Sequence, residues 1–96
     1  MAKVIHTDIT DETKIYETLK KEGFFNIFTW TDPKDSKYPL HTHPHYEVRW
    51  VVEGELVIVE DGNEIVLKPG DRLESPPNTP HAAYSEIGAK YVCASR

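Results

Sequence analysis

Most of the chain divides into short apolar or β-branched segments separated by turn residues, and this pattern restricts the fold more than any other feature. Asp61-Gly62 is a strong hairpin signal between two of these segments, and Pro69-Gly70 predicts another turn. Many short strands with regular turns are typical of an all-β sandwich or barrel. The predicted strands cover residues 4–9, 24–31, 39–43, 45–53, 55–60, 63–67, 72–75, 80–85 and 89–95.

One segment has helical character. Residues 10–22 begin with Thr10 or Asp11 as the N-cap, and Gly23 can end the helix in a left-handed conformation. Ile15 and Leu19 are four residues apart and form a narrow apolar stripe. The pattern predicts one short N-terminal helix, at about residues 10–22, with a structural role.

The segment at residues 47–53 is apolar on both faces. Val48, Trp50 and Val52 lie on one face, and Val51 lies on the other. A strand that is buried on both sides needs a cover beyond its own barrel core. The N-terminal helix or a second copy of the chain can supply that cover, so a homodimer is one hypothesis.

Length and charge exclude several classes of protein. The 96 residues indicate a single domain, 1–96. The formal net charge is −5 and no predicted element carries a basic stripe, which argues against a nucleic acid partner. No apolar run approaches the roughly 18 residues of a membrane span, and the first residues are too polar for a signal peptide, so we expect a soluble cytoplasmic protein.

Cys93 is the single cysteine of the sequence, which excludes an intramolecular disulfide bond. It lies among apolar neighbours in the last predicted strand. Nothing near it in the sequence would lower the pKa of its thiol, so we interpret it as a small buried hydrophobic residue.

The chemistry of the chain is concentrated between His41 and His81. In an extended strand, side chains alternate between faces, so His41, His43 and Glu47 would point to the same side. His81 returns from a later strand. Three imidazoles and one carboxylate form a donor set that suits Fe, Mn, Ni, Cu or Zn. The alternative is that these histidines are ordinary surface residues.

Two motifs in this region resemble those of the cupin superfamily. The first is His41-x-His43-x3-Glu47-x6-Gly54, which lacks only the leading glycine of the family pattern. The second is Gly70-x5-Pro76-x-Asn78-x2-His81-x3-Ser85. Asn78 replaces a glycine but tolerates a positive φ, and Ser85 replaces an asparagine that is not a ligand. The resemblance covers residues 36–85.

This resemblance implies a small jelly-roll barrel in which His41, His43, Glu47 and His81 bind one divalent transition metal and a small molecule binds beside it. Four protein ligands would close a tetrahedral site but leave two positions open on an octahedral metal. The run from Glu47 to Gly54 also resembles a stretch of the acireductone dioxygenases, which use iron or nickel on an enediol. Those proteins are much longer, so this local likeness does not name a substrate.

Further residues are candidates for substrate binding. Arg49 shares the parity of Glu47, and it either forms a structural salt bridge or anchors a carboxylate or enolate substrate. His45 has the same parity but lies outside the motif, which suggests the mouth of the pocket. Trp30 and Tyr38 are the aromatic residues that we expect to line the pocket.

Two classes of function remain open. The first is a metal-dependent enzyme, dioxygenase-like or isomerase-like, that acts on a small anionic or enolisable molecule, with Glu47 or His45 assisting proton transfer. The second is a module that binds or senses a small ligand or the metal without turnover, which the short chain favours because few loops remain to form a lid. A purely structural metal is the third and weakest alternative.

Overall fold

The computed structural model describes residues 2–96, and within that range it confirms each predicted strand, with bounds that differ by a few residues. The helix α1 is shorter than predicted, and β3 and β4 are separated by a loop that the sequence analysis assigned to strands. The elements are β1 (Lys3–His6), α1 (Glu12–Lys21), β2 (Phe25–Asp32), β3 (Ser36–His41), β4 (Glu47–Gly54), β5 (Leu56–Glu60), β6 (Asn63–Leu67), β7 (Asp71–Ser75), β8 (His81–Ser85) and β9 (Ala89–Ser95).

The strands form two antiparallel sheets that face each other as a jelly-roll barrel. The five-stranded sheet has the order β1-β7-β4-β9-β2, and the four-stranded sheet has the order β3-β8-β5-β6. Strands β2 and β3 are consecutive in the chain but lie at the edges of different sheets. One end of the barrel interior is therefore bordered by two strands that do not pair with each other.

The turns have the conformations that their residues predict. Asp61 and Gly62 have φ angles of 51° and 76°, which are the positive values that a tight hairpin of this kind requires. Asn78 has a φ of 60°, so it does take the left-handed conformation expected of a residue that replaces glycine. Gly23 ends the helical segment at a φ of 86°.

The helix α1 is held by its cap and by its apolar stripe. The Asp11 carboxylate accepts hydrogen bonds from the backbone N–H groups of Thr13 and Lys14, as an N-cap does. Ile15 and Leu19 are fully buried. They pack in one cluster with Val48 and Trp50 of β4, on the outer face of the five-stranded sheet.

The two-sided burial of β4 is thus explained within one chain. Its outer face packs under α1, and the indole Nε1 of Trp50 donates to the carbonyl of Ile9 at 2.9 Å. Its inner face contributes Val51 to a second cluster between the sheets, with Leu56, Ile58 and Leu73. The helix supplies the cover that a second copy would otherwise have supplied, and the homodimer stays a prediction. Within residues 2–96, no helix has the length and apolar character needed to cross a membrane.

Candidate metal centre

Three of the four predicted ligands converge at one end of the barrel. His41 is the last residue of β3 and His81 is the first residue of β8, and the two are directly opposite in the strand pairing. His43 follows in the loop between β3 and β4. One ligand nitrogen from each of the three imidazoles lies within 4.8 Å of the other two.

The reason for this convergence differs from the predicted one. Residues 42–46 do not continue a strand, so the alternation assumed for His41, His43 and Glu47 was wrong. Instead, the chain bends through Pro44, and the N–H of Asn78 donates to the carbonyl of His43 at 2.7 Å. This hydrogen bond connects the loop before His81 to the loop that carries His43.

Backbone carbonyls orient two of the imidazoles. The Nδ1 of His41 lies 2.6 Å from the carbonyl oxygen of Pro39, and the Nδ1 of His81 lies 3.0 Å from that of Thr79. Because a carbonyl can only accept, Nδ1 must carry the proton in both rings, and Nε2 keeps its lone pair. Metal-binding histidines are usually fixed in this way.

The third imidazole supplies a more direct sign of a metal. The Nε2 of His43 is buried and has no hydrogen-bond partner among the described residues. A buried polar atom without a partner is rare in native proteins. Its position between the other imidazoles and Glu47 fits a nitrogen that coordinates a divalent cation.

The surroundings of His43 and His81 favour their neutral forms. Burial is the main cause that lowers the pKa of His43, and Arg49 and His41 act in the same direction, although Glu47 partly opposes them. Burial also lowers the pKa of His81, again with a contribution from Arg49. A neutral imidazole is the form that binds a metal, so this donor set fits a divalent transition metal.

Glu47 and Arg49 lie beside the three histidines. The Oε1 atom of Glu47 is 3.6 Å from the Nε2 of His43 and 3.3 Å from Nη2 of Arg49. The same Nη2 of Arg49 lies 3.3 Å from the Nε2 of His81. Glu47 lies next to the histidine cluster but is not one of its three members. Arg49 forms the salt bridge of the structural alternative and also faces the cavity, as the substrate anchor requires.

A cavity of about 310 Å³ opens beside the centre. Trp30 and Tyr38 line it, where the sequence analysis expected them. The remaining lining residues are Phe28, His41, His43, Arg49, Ala83, Tyr91 and Cys93. Cys93 is half-buried, and desolvation of its thiol raises the pKa to about 12, so it contributes an unreactive group to the lining.

The predicted site residue His45 is placed elsewhere. It is exposed, and its ring packs edge-on against Phe25 with 5.6 Å between ring centroids. Among the described residues, His45 is not part of the cavity lining. Because the loop bends after His43, the parity that suggested the pocket mouth does not hold at this position.

Asp32 lies one residue beyond the predicted strand 24–31, and its role was not predicted from the sequence. Asp32 is the last residue of β2 and is 2% exposed. Its carboxylate accepts hydrogen bonds from three of the cavity's aromatic residues, Trp30, Tyr38 and Tyr91. Extending the predicted strand by one residue would have placed Asp32 on the same face as Trp30.

The family model described as "Cupin domain" matches residues 28–93. The chain belongs to the cupin family. This match, which spans both motifs, confirms the resemblance noted in the sequence.

Several known proteins are similar to this cupin. Quercetin 2,3-dioxygenase from Bacillus subtilis is 37% identical over 62 residues, which are 64% of this chain and 18% of that protein. An RmlC-like cupin from Shewanella frigidimarina is 30% identical, with a TM-score of 0.63 over 72% of this chain and 64% of its own. The DMSP lyase DddQ from Ruegeria pomeroyi is 26% identical, with a TM-score of 0.67 over 73% and 36%. This cupin therefore spans less than two thirds of each relative.

Proposed function

We propose that this cupin is a metal-dependent enzyme, dioxygenase-like or isomerase-like, that acts on a small anionic or enolisable molecule. The observation that carries the proposal is the set of three convergent imidazoles. Two are fixed by backbone carbonyls, and the third has a buried nitrogen that finds no hydrogen-bond partner within residues 2–96. His41, His43 and His81 would hold one divalent transition metal, with Glu47 as the fourth ligand.

The residues around the centre have separate roles. When bound, the metal would supply Lewis acidity toward a substrate oxygen and, if redox-active, electron transfer to dioxygen. Arg49 would orient an anionic substrate, because its guanidinium faces the cavity and matches a carboxylate or enolate in two-point geometry. Glu47 can also receive a proton at Oε1 if it is not bound to the metal. His45 is exposed and is not among the lining residues, so it would share this role only if its loop moved.

Two of the similar proteins support an enzymatic role. One is a dioxygenase and the other is a lyase. Each is much longer than the region that matches, so neither its reaction nor its substrate is carried over. The likeness supports the general class, a metal centre that acts on a small molecule.

Metal analysis of the purified protein tests the centre. We expect about one equivalent of a divalent transition metal by mass spectrometry, and its loss in His43→Ala and His81→Ala. His45→Ala is the matched control, because it removes an exposed imidazole from the same loop. Wild-type protein that neither contains a metal nor takes one up from excess divalent ions would overturn the proposal.

The variant Glu47→Gln separates the two roles of that carboxylate. As a ligand, Glu47 would be needed for metal affinity, and the metal content of the variant would fall. As a proton acceptor alone, it would be needed for turnover, and the metal content would be unchanged. Dioxygen uptake by metal-loaded protein, with small enediols, aryl carboxylates and quercetin as trial substrates, gives the activity for this comparison.

The alternative is a cupin that binds a small ligand or the metal without turnover. Strands β2 and β3 do not pair, and the gap between them is an open border of the barrel. This open border favours binding without turnover, because Phe28 and Trp30 of β2 are each 48% exposed and no described segment covers them. Tight binding of a trial substrate that stays chemically unchanged over many hours would favour this function.

A further inference from the structure

Asp32 holds three aromatic side chains of the cavity at once. One oxygen, Oδ1, accepts from the Nε1 of Trp30 at 2.8 Å and from the hydroxyl of Tyr38, and the other, Oδ2, accepts from the hydroxyl of Tyr91 at 2.7 Å. The Nε1 of Trp30 also lies 3.1 Å from the Tyr38 oxygen. A buried carboxylate is costly unless it is hydrogen-bonded, and these three donors meet that requirement.

The hydrogen bonds of Asp32 join the two sheets across the open border. Trp30 and Asp32 lie on β2 and Tyr91 lies on β9, all in the five-stranded sheet, whereas Tyr38 lies on β3 at the edge of the four-stranded sheet. Strands β2 and β3 do not pair with each other, so this contact helps to fix the distance between them. Trp30, Tyr38 and Tyr91 form an aromatic wall of the cavity, and the spacing of this wall therefore depends on Asp32.

The same hydrogen bonds determine which surfaces the cavity presents. The N–H of Trp30 and the hydroxyls of Tyr38 and Tyr91 are directed to Asp32. Hydrogen bonding to Asp32 raises the pKa of Tyr38, and burial followed by the same carboxylate raises that of Tyr91, so both hydroxyls stay protonated donors. The aromatic residues are left to offer ring surface, and the charged group of the lining is Arg49 beside the imidazoles.

We propose that Asp32 is a positioning residue that fixes the aromatic wall and thereby makes the cavity selective for a molecule with a flat apolar body and an anionic head. This inference rests on the proposed function, in which the metal and Arg49 bind the head. The body would lie against Phe28 and Trp30, whose exposed surface at the cavity is otherwise uncovered. Asp32 itself would not touch the ligand.

Calorimetric titration of nickel-loaded protein with benzoate and with acetate tests the selectivity, because an octahedral metal held by four protein ligands keeps two positions open. The two probes share a carboxylate, and only benzoate has a flat apolar body. We expect wild-type protein to bind benzoate more tightly, and Asp32→Asn to lower the benzoate-to-acetate affinity ratio about three- to tenfold, the range of an aromatic contact. The affinity for acetate and the nickel content should not change.

Tyr46→Phe is the matched control, since it removes a hydroxyl that donates to the Glu74 carboxylate at 2.6 Å, and neither residue lines the cavity. Its affinity ratio should equal that of wild type. If Asp32→Asn does not fold, Tyr38→Phe and Tyr91→Phe each remove one of the three donors and should each lower the ratio. An unchanged ratio in folded variants, or no preference for benzoate in wild type, would overturn the proposal.

A second measurement does not depend on the metal. Trp50 is 1% exposed and Trp30 is 48% exposed, so acrylamide quenching of fluorescence reports mainly on Trp30. We expect Asp32→Asn to increase this quenching and Tyr46→Phe to leave it unchanged. If wild-type protein has no metal site, the proposed function is refuted. If quenching is equal in wild type and Asp32→Asn, the positioning role of Asp32 is refuted.

Discussion

At the scale of single residues, Gly54 and Gly62 have almost the same backbone conformation in very different surroundings. Their φ angles are 75° and 76°. A Cβ atom at Gly54 would lie 2.0 Å from the carbonyl oxygen of Gly88, whereas one at Gly62 would meet nothing within 4 Å. The carbonyl of Gly88 also accepts from the N–H of Glu55, so it is held in place. Gly54 is required for close approach of two backbones, and Gly62 only for its conformation.

This difference predicts unequal costs for the same substitution. Gly62→Ala should lower the free energy of unfolding by about 1–2 kcal/mol, the cost of a left-handed conformation with a Cβ atom. Gly54→Ala should lower it by at least twice as much, because a collision with backbone is added. Urea denaturation monitored by circular dichroism measures both. Equal losses would show that the chain near Gly88 moves away easily.

At the scale of elements, a buried arginine joins the end of α1 to the five-stranded sheet. Arg72 of β7 is 5% exposed, and its guanidinium lies 5.7 Å from the ring centroid of Phe24 and 5.1 Å from that of Trp50. It pairs with Glu22, which follows the helix, and its Nε lies 2.8 Å from the carboxylate of Glu74. The helix is thus anchored by charge as well as by its apolar stripe.

Removal of this arginine should be strongly destabilising. Arg72→Met keeps much of the apolar stem but leaves the Glu74 carboxylate, which is 7% exposed, without its opposite charge. We expect a loss of about 3–5 kcal/mol in the free energy of unfolding. Lys90→Met is the matched control, because Lys90 also pairs with α1, through Glu12 at 2.6 Å, but is about one third exposed. Its loss should be much smaller, because an exposed ion pair contributes little to stability, and similar losses in the two variants would contradict this account.

The same contact predicts a dependence on pH. The hydrogen bond from Arg72 lowers the pKa of Glu22 below its ordinary value of 4.5. The folded state therefore binds this proton less readily than the unfolded chain, so the contribution to stability is present above pH 4.5 and is lost as the pH falls through the lowered value. Melting temperatures between pH 6 and pH 3 should fall less steeply in Glu22→Gln than in wild type. Glu17→Gln, an exposed change on the same helix, should keep the wild-type slope.

At the scale of the whole molecule, the sequence predicts what depends on local pattern and misses what depends on contacts between sheets. The strands follow from β-branched residues and from turns such as Asp61-Gly62, which act over a few residues. The spacing of His41, His43 and His81 identifies the histidine cluster, although the bend at Pro44 and not a strand brings it together. Asp32 was missed because the predicted strand stopped at residue 31 and because Tyr38 and Tyr91, two of its three partners, lie on other strands. Likewise, only the tertiary structure shows that α1 covers Trp50, a role that the sequence left open between the helix and a second copy of the chain.

The position of the centre predicts that a metal would stabilise the entire barrel. His41 and His81 belong to the four-stranded sheet, Glu47 begins a strand of the five-stranded sheet, and His43 lies in the loop between them. A cation bound to all four would cross-link the two sheets. A ligand at one hundred times its Kd adds about 2.7 kcal/mol to the stability of the folded state. For a domain of this size, that corresponds to a rise in Tm of roughly 10–20 °C.

Thermal melts of chelator-treated protein with increasing zinc or nickel measure this rise. His81→Ala should lose most of it, because the variant removes a ligand from one sheet, and Glu47→Gln should lose it if the carboxylate links the other sheet. His45→Ala should keep the full rise, since its imidazole lies outside the cluster. If wild type and His81→Ala gained the same number of degrees, the metal would be binding elsewhere on the chain, and the two sheets would be held together by packing alone.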